Sequence, residues 1–205
     1  HTMLSQISKT IFNMDDMPLL KLQEDDGVLI EPEWYIPILP MILINGSTGI
    51  GTGYSTSIPS FHPIDVLNNI KLCIENKPMK EIKPWFRGFR GKIIKVNDHS
   101  YRTYGIWKKI NASTIVISEL PIGTWSNDYK KFLESLLVDR NKKYNKNKKK
   151  HTNNKQLLMD FQHDYDDRYI KFTLIFKPNV LYNLQLKKSK VQGVSYIEKY
   201  LKLTS

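Results

Sequence analysis

The sequence predicts an α+β fold, on three observations. Strand-like runs rich in β-branched and aromatic residues occupy 91–96, 101–107, 113–120 and 169–176. Segments with apolar residues at helical spacing stand beside them, most clearly 126–137. The two kinds do not alternate as strand, helix, parallel strand, which removes the doubly wound α/β class. At 205 residues the chain is long enough to bury a core without disulfide staples.

Taken in order, residues 1–12 carry Met3, Leu4, Ile7 and Ile11 at helical spacing and predict a short amphipathic helix, which Asn13-Met-Asp-Asp-Met-Pro18 ends. Two apolar runs then flank Gln23-Glu-Asp-Asp-Gly27, a hairpin pattern with Asp-Gly at its turn. Pro37 to Pro40 reads as an extended connector. Met41-Ile-Leu-Ile44 is expected to be a buried strand leading into a glycine loop. After it, 62–74 predicts a helix with Pro63 in its first turn and Val66, Leu67, Ile70 and Ile74 on one face, with His62 as a helix-start residue. In 126–137, Tyr129, Phe132, Leu133, Leu136 and Leu137 form a core-facing stripe, with Ser126 as N-cap and Asp128 at the positive end of the helix dipole. Residues 140–156 are rich in Lys and Asn and are expected to form a mobile insertion. Ile197, Tyr200 and Leu201 suggest a final short helix.

The formal charge of +11 invites a nucleic-acid partner, but ten basic residues against two acidic ones lie between Lys130 and Lys155. The rest of the chain is only mildly basic, so motifs must carry the functional inference. A single cysteine, Cys73, rules out a disulfide framework, suits a reducing compartment, and is expected to be buried on a helix stripe. No apolar run reaches membrane-spanning length and the chain opens on His1, so it reads as a soluble segment excised from something larger. The acidic pairs Asp15-Asp16, Asp25-Asp26 and Asp166-Asp167 are neighbours along the chain, two of them beside turn signals, and the five histidines lack ligand spacing; no metal site is expected.

One segment stands apart. Glu31-Pro-Glu-Trp-Tyr35 leads, through prolines and an apolar run, to Asn45-Gly-Ser-Thr-Gly-Ile-Gly-Thr-Gly53. Its glycine spacing is wrong for a dinucleotide cradle, and an extended Tyr54-Ser-Thr-Ser-Ile-Pro59 follows where a phosphate-binding helix would be needed. Ile50, between Gly49 and Gly51, is instead a candidate wedge: proteins that bend duplex DNA push apolar side chains between base pairs, and glycines let the backbone approach. Phe86-Arg-Gly-Phe-Arg-Gly91 adds Arg87 and Arg90, suited to phosphate contact or to a solvated surface.

These residues resemble the type IIA DNA topoisomerases, most closely the single-chain eukaryotic and viral topoisomerase II; the gyrase A type keeps Asn-Gly-x-x-Gly-Ile but lacks Glu-Pro-Glu-Trp-Tyr. The resemblance extends to His1-Thr-Met-Leu4, Asp25-Asp26, Phe89-Arg-Gly91, Ile117-Ser-Glu-Leu-Pro-Ile-Gly-Thr-Trp125 and Leu201-Lys-Leu-Thr-Ser205. It implies that 1–40 end a winged-helix domain and 41–205 form the tower, or shoulder, domain. It also implies that Ile50 intercalates and that Trp125 lies against DNA, although Gly123 stands where an arginine is common. The family's nucleophilic tyrosine would fall two residues before His1, so no catalytic residue is expected in this chain. Mg2+ and ATP would serve the full-length enzyme, with no cofactor in this segment. The implied partners are double-stranded DNA, the remainder of the same enzyme and a second copy in a homodimer, with no membrane, in the nucleus or at a viral cytoplasmic replication site. The residues alone leave an alternative open: a noncatalytic basic nucleic-acid-binding module that relies on the lysine run.

Overall fold

The computed structural model describes residues 3–98, 100–137, 157–166 and 169–205. The whole of the Lys/Asn-rich insertion expected at 140–156 therefore lies outside the described residues. The chain forms two compact units, His1–Arg87 and Gly88–Ser205.

In the first unit the expected N-terminal helix shrinks to one turn, α1 (Ser8–Ile11), with no buried residue. Asn13 then caps a 3-10 turn over Met14–Leu19 by accepting from the Asp15 amide at 3.1 Å. Strands β1 (Leu22–Asp25) and β2 (Val28–Pro32) pair as the predicted hairpin. Its turn residues Asp26 and Gly27 sit at φ 48° and 78°, the left-handed pair that a two-residue hairpin requires.

Residues 41–45 do not form the expected strand. They form α2 (Met41–Asn45), which starts at Pro40, has no buried residue and packs on the next helix. A four-residue apolar run carries no periodicity to separate strand from helix, and here the bond from the Leu43 amide to the Pro40 carbonyl, 2.9 Å, sets a helical turn. The glycine segment follows as β3 (Ser47–Gly51) and β4 (Tyr54–Ile58), and then α3 (Pro63–Ile74). His62 is the N-cap of α3, its Nδ1 accepting from the Ile64 amide at 3.2 Å. Val66 is buried as expected, but Ile74 and Cys73 are exposed: both lie in the last turn, beyond the reach of the face that packs. The Asn69 side chain holds the returning segment, donating to the Lys80 carbonyl at 2.8 Å and accepting from its amide at 2.9 Å.

The second unit begins with β5 (Lys92–Asn97), β6 (Ser100–Tyr104), β7 (Ile106–Lys109) and β8 (Thr114–Glu119). The single strand expected over 101–107 is split at Gly105, where a Cβ would come within 2.4 Å of the Glu119 carbonyl oxygen. After the break the chain leaves the two-stranded β5–β6 sheet and enters a four-stranded antiparallel one, ordered β7-β8-β10-β9, with β9 at Leu158–Tyr165 and β10 at Ile170–Phe176. Ile115 and Ile117 of β8 and Phe172, Leu174 and Phe176 of β10 are buried with the apolar stripes of α4 (Ser126–Leu136), α5 (Val180–Leu186) and α6 (Tyr196–Tyr200) in one core. Strands β5, β8 and β10 and helices α4 and α6 follow the sequence reading, and its strand over 101–107 becomes β6 and β7; β9 and α5 are additions. The architecture is α+β.

Tyr129 lies at the centre of this core, its hydroxyl donating to the Leu201 carbonyl at 2.8 Å. Burial pushes its phenol well above the ordinary tyrosine range. Because the folded pKa is the higher one, this group's contribution to stability is complete below about pH 10, where an exposed tyrosine ionises, and is lost progressively above it. Replacing Tyr129 with Phe is expected to lower stability at neutral pH by about 1–2 kcal/mol through the orphaned carbonyl. It should also flatten the alkaline loss, which denaturant titrations at several pH values would measure.

Candidate nucleic-acid interface

The hairpin that presents Ile50 is anchored by Gly46. This residue ends α2 at φ 70°, and a Cβ there would approach the Ile58 carbonyl oxygen to 2.6 Å, so only glycine fits. Ser60 secures the same corner, its hydroxyl donating to the Asn45 carbonyl at 3.1 Å. Strands β3 and β4 then pair in unbroken antiparallel register from Ser47–Ile58 to Gly51–Tyr54, and Gly53 at φ 92° turns the chain.

Ile50 therefore sits on a paired strand opposite Ser55, near the tip, and not in the irregular loop that its glycine neighbours suggest. It is 94% exposed. Side chains alternate across a ladder, so Thr48, Ser55 and Ser57 share its face, and all three are exposed. Gly49, Gly51 and the 83%-exposed Tyr54 belong to the opposite face. The three hydroxyls were not singled out from sequence, although the hydroxyl-rich Ser55-Thr-Ser57 after Gly53 is a signal for two of them.

Gly49 and Gly51 differ from Gly46. A Cβ on either would meet only ordinary van der Waals neighbours, Thr56 Cγ2 at 3.5 Å and the Tyr54 carbonyl oxygen at 3.4 Å respectively. Neither residue has a positive φ. Glycine inside a strand weakens it, so the bare backbone on both sides of Ile50 serves no need of the hairpin itself.

The second unit carries the other candidates. Trp125 is 76% exposed and occupies the N-cap of α4 in extended conformation, without a capping side chain. The N-cap thus falls one residue before the expected Ser126, which is already helical. The approach to Trp125 is fixed by buried Leu120, by the Ile122 amide donating to Thr103 Oγ1 at 3.2 Å, and by a turn in which Gly123 stands at φ 82°. Arg90 braces this approach: its Nε donates to Glu119 Oε2 at 3.3 Å and its Nη2 to the Ser118 carbonyl at 3.1 Å. The guanidinium stays largely in solvent, where such a pair is worth about 0–1 kcal/mol, so the contact orients more than it stabilises. Arg87 is exposed and belongs to the first unit. Ile50 and Trp125 likewise belong to different units.

Among the described residues no group of three or more His, Cys, Asp or Glu comes together. Asp15 and Asp16 lie in the 3-10 turn, Asp25 ends β1 and Asp26 turns the hairpin.

Comparison with known proteins identifies the family to which this chain, with its exposed hairpin and a tryptophan at a helix start, belongs. Residues 1–195 match the family of the A-type subunits of DNA gyrase/topoisomerase IV, and the chain belongs to that family. It is 39% identical over 204 residues to DNA topoisomerase 2 of Plasmodium falciparum, covering 100% of this chain and 13% of that protein. It is 44% identical over 133 residues to DNA topoisomerase 2 of Candida glabrata, covering 65% of this chain and 10% of that one. The fold matches the crystal structure of the Plasmodium falciparum topoisomerase II DNA-binding, cleavage and re-ligation domain with a TM-score of 0.81 and 38% identity, over 98% of this chain and 25% of that chain. The chain spans only about a tenth of the length of these curated relatives.

The two kinds of glycine should separate in mutation. Gly46→Ala is expected to destabilise the hairpin by about 1–3 kcal/mol, through left-handed strain and the clash with Ile58. Gly49→Ala should change stability by less than about 1 kcal/mol. Amide hydrogen exchange across Ser47–Ile58 would read both.

Proposed function

We propose that the chain is the DNA-binding and DNA-bending segment of an ATP-dependent type IIA DNA topoisomerase, which passes one duplex through a transient double-strand break. The observation that carries this reading is Ile50, 94% exposed on a fully paired strand between two glycines that the hairpin does not need. Leaving such a side chain in water forgoes about 1.5–3 kcal/mol of burial. Inserted at a base step, it recovers that burial against the bases and offsets part of an unstacking cost of about a few kcal/mol. Gly49 and Gly51 let the strand lie close to the groove, while Thr48, Ser55 and Ser57 offer hydroxyls to the sugar-phosphate backbone beside the wedge. Trp125, Arg87 and Arg90 are separate DNA contacts in the same reading.

In this reading residues 1–40 end a winged-helix domain and 41–205 form the tower. The first unit supports a continuation of the protein against it: Trp34, Tyr35, Ile36 and Ile38 are exposed, and an apolar cleft of about 260 Å³ opens between Leu4, Phe12, Met17 and Tyr35. The remainder of the same enzyme covers that surface, supplies the nucleophilic tyrosine and completes a homodimer. In this reading Mg2+ and ATP serve the full-length enzyme, which acts in the nucleus.

In the whole enzyme, Ile50→Ala should reduce DNA bending and cleavage by roughly tenfold while ATP hydrolysis persists; unchanged bending in a fluorescence-transfer assay would remove the wedge role. Removing 140–156 separates this reading from a standalone basic binder. A topoisomerase tower should lose only a salt-sensitive, nonspecific fraction of affinity, whereas a module built on the lysine run should lose most of it.

A further inference from the structure

The face of the β3–β4 hairpin turned away from Ile50 carries two cross-strand pairs in which a glycine stands opposite a side chain, Gly49–Thr56 and Gly51–Tyr54. A Cβ on Gly51 would come within 3.6 Å of Tyr54 Cε2 and 3.7 Å of its Cδ2, so the ring lies along the strand where glycine leaves it uncovered. Tyr54 is 83% exposed, and no core holds the ring in place. Gly51–Tyr54 is also the pair that closes the hairpin, and the turn beyond it holds the strands poorly. In the β1–β2 hairpin both turn residues, Asp26 and Gly27, have positive φ, which matches the twist of the strands. At the tip of β3–β4 only Gly53 does, at 92°, and Thr52 does not. A two-residue turn of this second kind splays the strands it joins. Gly49 and Gly51 add the freest of backbones on both sides of Ile50. Order at the tip therefore depends on contact across the ladder, and an aromatic ring laid over a cross-strand glycine restores what the missing side chain removes.

We propose that Tyr54 is a positioning residue for the wedge: its ring, laid across Gly51, holds the closing pair of the hairpin together and so fixes the direction in which Ile50 meets a base step. The proposal rests on the reading of Ile50 as a DNA-bending wedge and deepens it by dividing the hairpin into a working face and a supporting one. Tyr54 acts through Ile50 and needs no DNA contact of its own. Its hydroxyl has no part in the role, so a phenylalanine serves equally and a serine does not.

The test is duplex bending by the whole enzyme, read by fluorescence transfer, in Tyr54→Ser and Tyr54→Phe, each alone and combined with Ile50→Ala. Tyr54→Ser should lower the bent fraction by about two- to fivefold, the worth of one cross-strand aromatic pair. Tyr54→Phe should keep the wild-type value. On the Ile50→Ala background Tyr54→Ser should change nothing further, because the support then has no wedge to hold. Amide hydrogen exchange over Ser47–Ile58 should quicken by a similar factor in Tyr54→Ser, and by less where Gly51→Ala supplies a Cβ of its own. If Tyr54→Ser bends DNA and exchanges its hairpin amides as the wild type does while Ile50→Ala diminishes bending, the positioning role fails and the wedge reading stands. The role fails equally if Tyr54→Phe is as damaging as Tyr54→Ser, or if Tyr54→Ser weakens bending by the same factor with and without Ile50; either result makes Tyr54 a direct DNA contact. If Ile50→Ala itself leaves bending unchanged, the wedge reading and the positioning role fall together.

Discussion

Antiparallel pairing between Ser47–Gly51 and Tyr54–Ile58 keeps Ile50 out in water, and the candidate interface of the first unit depends on it. A free loop carrying the same residues would fold an aliphatic side chain back onto the nearest apolar surface. A ladder with fixed register denies it that choice, because a one-residue slip would exchange the two faces of the strand and lose every cross-strand bond. Gly46 sets the start of that register and Gly53 its end; neither position accommodates an ordinary side chain without strain. Stiffness matters to function as well as to fold. A wedge transmits force to a base step only if its own support does not yield.

The two units distribute their apolar surface in opposite ways. The second encloses a continuous core in which the sheet and helices α4, α5 and α6 meet around Tyr129, Phe172 and Leu174. Among the described residues of the first, only Leu20 and Val66 are buried hydrophobic side chains, while Trp34, Tyr35, Ile36, Ile38 and Met79 are exposed. In the proposed reading the remainder of the enzyme covers these side chains. A chain that matches about a tenth of the length of its curated relatives agrees with that distribution.

Much of this was legible in the residues, and the failures have physical causes. The Asp26-Gly27 hairpin, the stripe of α4 and the alternation of β10 are strong local signals, each of which the tertiary structure reinforces. Strand β9 was invisible because a bulge opposite Ile175 and Phe176 resets its alternation, so Leu158, Phe161 and Tyr165 recur at helical intervals, and because a polar, exposed His163 stands opposite buried Phe172 where an apolar residue would mark the strand. Met41-Ile-Leu-Ile44 was misread since so short a run has no period to measure. Of the site, Ile50 and its glycines were legible as a candidate; its strand pairing was not, since glycine carries no strand propensity.

The most direct test of the wedge is optical. A duplex carrying the fluorescent adenine analogue 2-aminopurine at successive steps, bound by the whole enzyme, reports which step unstacks. The account predicts brightening at one step with Ile50 in place, and its loss when Ile50 is replaced by Ala while binding persists. Equal brightening with and without the isoleucine side chain would contradict it.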